Sequence, residues 1–126
     1  MVAAILAVVL IRLESEGERS QAESVALTEI FIDDMDGTLR QIGIGDFVVG
    51  KHVGKLVGAL GGRLGAFRDA LAGGAPLEPA VRRNIFREGP ADAAQADFVA
   101  GRLRRLHQEL AAATAEELLA GTFPKP

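Results

Sequence analysis

The chain has 126 residues, a formal net charge of -3 and hydrophobic side chains at 48% of its positions. This length suits one domain with a compact core, and the composition excludes a disordered tail. Cysteine is absent, which excludes disulfides and thiolate metal sites. Tryptophan and tyrosine are absent too, so few side chains could stack on nucleic-acid bases.

The charges are unevenly distributed along the chain. Residues 1–46 carry three basic and nine acidic side chains, whereas residues 47–126 carry eleven basic and eight acidic ones. Such a charge asymmetry can orient a protein toward an anionic partner. Solvated helix faces give the same pattern, so both interpretations stay open at this point.

The first thirteen residues are apolar except for Arg12. No basic segment precedes them and no small-residue cleavage site follows, so the segment does not read as a signal peptide. The run also falls short of the ~20 apolar residues that a membrane-spanning helix needs. We predict a first helix within residues 1–16 that is either the centre of a helical bundle or lacks an upstream segment that would cover it.

Every later segment repeats its apolar residues at helical spacing, and none alternates as a strand would. A capping box at Ser20–Glu23 predicts the start of a second helix, which Gly43 ends. Asp46 is the predicted N-cap of a long third helix that ends at Gly73-Gly74. The predicted core positions of these two helices are Leu27, Phe31, Met35, Leu39, Ile42, Val49, Val53, Leu56, Leu60, Leu64, Phe67 and Leu71.

The remaining third of the chain predicts three more helices. Pro76 and Pro79 mark a connector and the start of a short helix through Phe86, after which Gly89-Pro90 breaks the chain. An amphipathic helix follows, with apolar residues at Ala96, Val99, Leu103, Leu106 and Leu110. A second capping box, Thr114–Glu117, opens a last short helix that Gly121 ends. The sequence thus predicts an all-α, compact helical bundle of about five to six helices, as a single domain over residues 1–126.

The third helix is unusually rich in glycine. At about 100° per residue, five of its glycines fall within an arc of about 80°. We call this arc the glycine face; it consists of Gly50, Gly54, Gly58, Gly61 and Gly65. A face without side chains lets another backbone approach closely. The approaching helix could belong to a partner or to the same chain, and the sequence favours neither decisively.

The chain carries no recognisable catalytic or metal-binding pattern. Asp33, Asp34 and Asp36 cluster on the second helix, but Asp34 points away from the other two, and Asp36 with Arg40 has the spacing of an ordinary ion pair. Neither His52 nor His107 has a second ligand at metal-binding spacing on its helix. Two arginine groups, at residues 82–83 and 102–105, suggest nucleic acid, but the acidic pI of about 5.4 argues against a dedicated binder. We therefore predict no enzyme, no cofactor, no metal and no sequence-specific nucleic acid.

The stretch from Phe31 to Phe67 resembles the ubiquinol–cytochrome c chaperone family. The similar residues run from Asp34-Met35-Asp36 through Leu39-Arg40 and Gly43-Ile44-Gly45-Asp46 to Val49, Lys51, Val53, Lys55, Gly62-Arg63 and Phe67. The similarity continues at Arg83-Asn84, and it covers most of the chain from about Leu6 onward. Two departures are Leu60-Gly61, where the family usually has an aromatic pair, and a start within what would be an early helix of the family.

The resemblance implies an all-helical, non-catalytic protein without a cofactor. Mitochondrial members of the family bind newly made cytochrome b near the ribosome and help to assemble ubiquinol–cytochrome c reductase. By the resemblance, Gly43, Gly45 and Asp46 form a structural turn. The positions to which it assigns partner binding are Asp34, Asp36, Arg40, Lys51, Lys55, Arg63, Arg83 and Asn84.

Two functions remain open from the sequence. The first is an assembly chaperone that holds cytochrome b, or a similar hydrophobic membrane-protein client, with the ribosome or a membrane surface as a further partner. It would act in the cytoplasm, or peripherally at the inner face of the inner membrane. The second is a structural protein without a respiratory client, which forms a homodimer through its apolar first helix.

Overall fold

The computed structural model describes residues 2–43, 45–73, 75–86 and 93–123, and it leaves out the side chains of residues 46–48. These residues form six α-helices and one 3-10 turn, with no strand among them, so the predicted all-helical bundle is confirmed. The helices are α1 (Val2–Glu14), α2 (Gln21–Gln41), α3 (Asp46–Leu71), α4 (Leu77–Asn84), α5 (Ala93–Ala112) and α6 (Ala115–Leu119), and the 3-10 turn is Gly17–Ser20.

Helix α1 lies at the centre of the bundle, where it packs against α3 and α5. Most of its residues are buried, because a helix that is apolar on all sides is stable only when neighbours cover it. Of the two sequence interpretations, the central position therefore agrees with the structure. Val2 and Ile5 are the large apolar side chains of α1 that stay exposed. Little of this helix is free for the homodimer contact predicted from sequence.

The apolar stripes of α3 and α5 face the core as their spacing predicts. On α3, Leu60 and Phe67 are buried, and on α5, Leu103 and Leu110 are buried. Helix α4 packs between these two helices, and Leu77 and Val81 complete the core there. Pro79 lies in the first turn of α4, where a missing backbone N–H breaks no helical hydrogen bond.

Helix α2 and the first half of α3 form an antiparallel hairpin, which packs on the core along α3 and α1. No residue of α2 is fully buried. Leu27, Phe31 and Met35 are half-buried on one side and Leu39 is half-buried at its edge, whereas the predicted core residue Ile42 is 68% exposed. Ile42 lies one residue beyond the end of α2, so it leaves the helical stripe that the spacing predicts.

Glycine ends several helices as predicted. Gly43, Gly73 and Gly121 have φ angles of 86°, 88° and 86°, in the left-handed region that glycine enters without strain. Gly17, the first residue of the 3-10 turn, also has a positive φ angle, of 69°. The predicted breaks at Gly74 and Gly89-Pro90 lie outside the described residues.

Of the three predicted N-caps, Thr114 is confirmed in full, Ser20 is the N-cap of α2 but lacks the predicted capping box, and Asp46 is wrong by one residue. The capping box of α6 is complete: Thr114 accepts from the backbone N–H of Glu117, whose carboxylate accepts from that of Thr114. Ser20 precedes α2 but makes no capping hydrogen bond, because it also ends the 3-10 turn and its backbone is not extended. Asp46 is the first helical residue of α3, and Gly45, with φ -72° and ψ 159°, is its N-cap.

One buried arginine ties the ends of two helices together. The Arg12 guanidinium donates to the backbone carbonyl oxygens of Leu110 and Ala113, at 2.9 Å in each case. It also pairs with the Glu16 carboxylate at 2.7 Å. These carbonyls lie in the last turn of α5 and just after it, and the Leu110 carbonyl also accepts from the backbone N–H of Ala113. The cation adds a charged donor to both carbonyls at the negative end of the helix dipole.

A second cation links α1 to α3 at the surface. Arg68 donates from Nε and Nη2 to the two carboxylate oxygens of Glu14, at 3.0 and 2.8 Å. This bidentate hydrogen bond raises the pKa of Arg68 above its ordinary value. Both side chains are exposed, so the pair contributes little to stability.

Candidate protein-interaction surface

The eight predicted partner-binding residues fall into two separate regions. Five of them lie on the hairpin of α2 and α3: Asp34, Asp36, Arg40, Lys51 and Lys55. The other three lie where the second half of α3 meets α4: Arg63, Arg83 and Asn84. Lys51 and Arg63 are twelve residues apart on one helix, which corresponds to roughly 18 Å. One small contact cannot use both regions.

In the second region, Arg63 and Asn84 contact each other. Nη2 and Nε of Arg63 donate to the backbone carbonyl of Asn84, at 2.6 and 3.2 Å. The Asn84 side chain donates in turn to the Ala80 carbonyl at 2.8 Å. Both residues are half-buried and close the C-terminal end of α4 against α3. Their match to the family pattern is thus explained by the fold, whereas the neighbouring Arg83 is exposed.

On the hairpin, the acidic residues do not converge on one point. Asp36 pairs with Arg40 at 2.9 Å, one turn along α2, as the spacing predicts. Asp34 is exposed on another side of the helix. Within the described residues there is no group of three acidic or histidine side chains arranged to hold a metal ion.

Lys51 and Lys55 are exposed one turn apart on α3. Neither ammonium group forms an ion pair with another residue that the structure describes. By contrast, Arg104 lies 3.9 Å from Glu78, and Arg105 lies 2.9 Å from Glu109. The two lysines are therefore cations that a partner can reach without first breaking an intramolecular pair.

The glycine face looks outward. Four of its five glycines are exposed and Gly65 is half-buried. A Cβ atom added at any of them would meet nothing within 4 Å. The alternative in which this face packs tightly against another helix of the same chain is therefore wrong for the described residues. Each of these glycines costs about 1 kcal/mol relative to alanine in a helix, and no internal packing offsets that cost.

Apolar side chains border the glycine face on the same side of the hairpin. Val57 of α3 is 43% exposed and lies about 20° from Gly50 around the helix. On α2, Val25 is 51% exposed, and Ile32 and Leu39 are half-buried. Val25, Ile32 and Leu39 lie roughly 90° around α2 from Phe31 and Met35. The glycines are rotated in the same sense around α3 from its inward-facing residues. Because α2 and α3 are antiparallel, these two rotations place both sets of residues on the same side of the hairpin.

We call this combined surface the hairpin face; it consists of the glycine face with Val25, Ile32, Leu39 and Val57. Its floor is bare backbone, and its edge toward α2 is apolar. The nearest charges on α2 belong to Asp36 and Arg40, which neutralise each other. Lys55 and the 64% exposed Ile30 lie on other sides of the hairpin, whereas Lys51 lies about 20° from Gly58 around α3 and borders the glycine face. The sequence pattern revealed the glycines, but the apolar border depends on how the two helices pack.

The family comparison agrees with the sequence resemblance. The sequence model of the ubiquinol–cytochrome C chaperone family matches residues 1–125. The chain belongs to this family. The match begins five residues before Leu6, where the resemblance read from the sequence begins. Comparisons with curated proteins and with solved structures gave no match.

Membership in this chaperone family assigns the chain to the assembly of ubiquinol–cytochrome c reductase. A chaperone works through contact surfaces, and the hairpin face is an apolar surface that the described helices leave uncovered. None of the described helices is long and apolar enough to cross a membrane.

Proposed function

We propose that the chain is a non-catalytic assembly chaperone that binds cytochrome b during the assembly of ubiquinol–cytochrome c reductase. The family match over residues 1–125 carries this proposal. The hairpin adds physical support, because an apolar face without an internal partner is the kind of surface that a hydrophobic client requires.

We place the client contact on the hairpin face. A helix of the client would lie along the glycines, with Val57 and Val25 along the edge toward α2 and Lys51 along the opposite edge. Backbones approach closely over such faces, so dispersion contacts add up without a deep pocket. Docking would bury apolar surface that the free protein leaves in water. The free energy gained on docking would offset the loss of helix stability that the glycines cause.

The charged residues of the hairpin would have a different role. Lys51 and Lys55 point away from the apolar edge and attract anionic groups of the ribosome or of a membrane surface. Asp34, Asp36 and Arg40 lie near the turn of the hairpin, where they would contact the client's polar ends. Such rim charges mainly accelerate and orient association, and salt screens them. Binding of this kind would keep the protein at the inner face of the inner membrane.

The test is recovery of cytochrome b with the tagged protein from detergent-solubilised membranes of cells that make the complex. Gly54→Leu places a bulky side chain on the hairpin face, and a Cβ at this position meets no other atom. The matched control is Gly101→Leu, on the exposed side of α5, where a Cβ is equally free. Circular dichroism and thermal unfolding of both variants establish that they fold.

We expect cytochrome b with the wild type and with Gly101→Leu, and at least tenfold less with Gly54→Leu. Equal recovery with both variants would show that cytochrome b does not bind at the hairpin face, and cytochrome b would remain the proposed client. No recovery with the wild type would overturn the assignment of cytochrome b. Light scattering of the same samples would then decide whether the chain forms a homodimer, as the second sequence hypothesis expects.

A further inference from the structure

We draw no further inference here: the strongest candidate, the exposed apolar side chains of Val2, Ile5 and Phe98 at the end of the bundle where α1 and α5 begin, carries nothing because no feature of the structure shows what covers them.

Discussion

Arg12 and Leu110 are 98 residues apart in the chain, and Nε of the arginine donates to the carbonyl oxygen of the leucine over 2.9 Å. Both residues are buried, and the same guanidinium also satisfies the Ala113 carbonyl. The cation thus joins the end of α1 to the end of α5.

Replacing Arg12 by methionine keeps most of the apolar stem and removes every hydrogen bond of the guanidinium. We expect the free energy of unfolding to fall by about 2–4 kcal/mol, because the Leu110 and Ala113 carbonyls lose charged donors in a region that excludes water. Urea unfolding would measure the change. The control is Arg105→Met, whose exposed pair with Glu109 should contribute less than about 1 kcal/mol. Equal losses in the two variants would contradict a structural role for Arg12.

Arg63→Met tests whether a residue that matches the family pattern stabilises the fold. Its contact with the Asn84 carbonyl is half-buried, so we expect a loss of about 1–2 kcal/mol in the free energy of unfolding. The exposed Arg83→Met, at the same end of α4, should change it by less than about 0.5 kcal/mol. If the Arg83 variant were the less stable of the two, our interpretation of the α3–α4 contact would be wrong.

Alanine on the glycine face should stabilise the protein. Gly54 and Gly58 lie in the interior of α3 with free space at the Cβ position, so each substitution should add about 0.5–1 kcal/mol. Gly43→Ala and Gly73→Ala should instead destabilise the protein by about 1 kcal/mol, since both glycines have positive φ angles. Thermal unfolding of the four variants would show the two opposite signs. A destabilising Gly54→Ala would mean that another element covers this face.

The two serine or threonine residues that precede helices should differ in importance. Thr114→Ala removes a complete capping box, and we expect a loss of about 1 kcal/mol. Ser20 is buried but makes no capping hydrogen bond, so Ser20→Ala should cost less than Thr114→Ala. Chemical denaturation of both variants would measure the difference, and a larger effect at Ser20 would restore the capping box that the sequence predicts there.

The helical period was sufficient to predict the helices and the inward-facing side of α3 and α5. Local chemistry was sufficient for Gly43, Gly73 and Gly121, whose role as helix stops depends on their own backbone angles. It failed at Ser20 because the preceding 3-10 turn, which the pattern does not reveal, determines the backbone of that residue. It misplaced the start of α3 by one residue, since Gly45 rather than Asp46 has the extended backbone of an N-cap.

The candidate site shows the same division between local and tertiary information. The spacing of Gly50, Gly54 and Gly58 placed them on one arc, but only the packing of α2 shows that this arc faces outward. The ion pair of Asp36 with Arg40 was predictable, because both partners lie on one helix. The contact of Arg63 with Asn84 was not, since its partners are 21 residues apart on different helices.

The lack of fully buried residues in α2 has a consequence for motion. Segments with few buried contacts open at a lower free-energy cost than the whole molecule unfolds, whereas α1 and α5 share the dense core. We expect amide hydrogens of α2 to exchange with solvent far faster than those of α1. Helix α2 would then open from α3 and α1 and close again while the core stays folded, so the apolar border that it lends to the hairpin face could adjust to different clients without global unfolding.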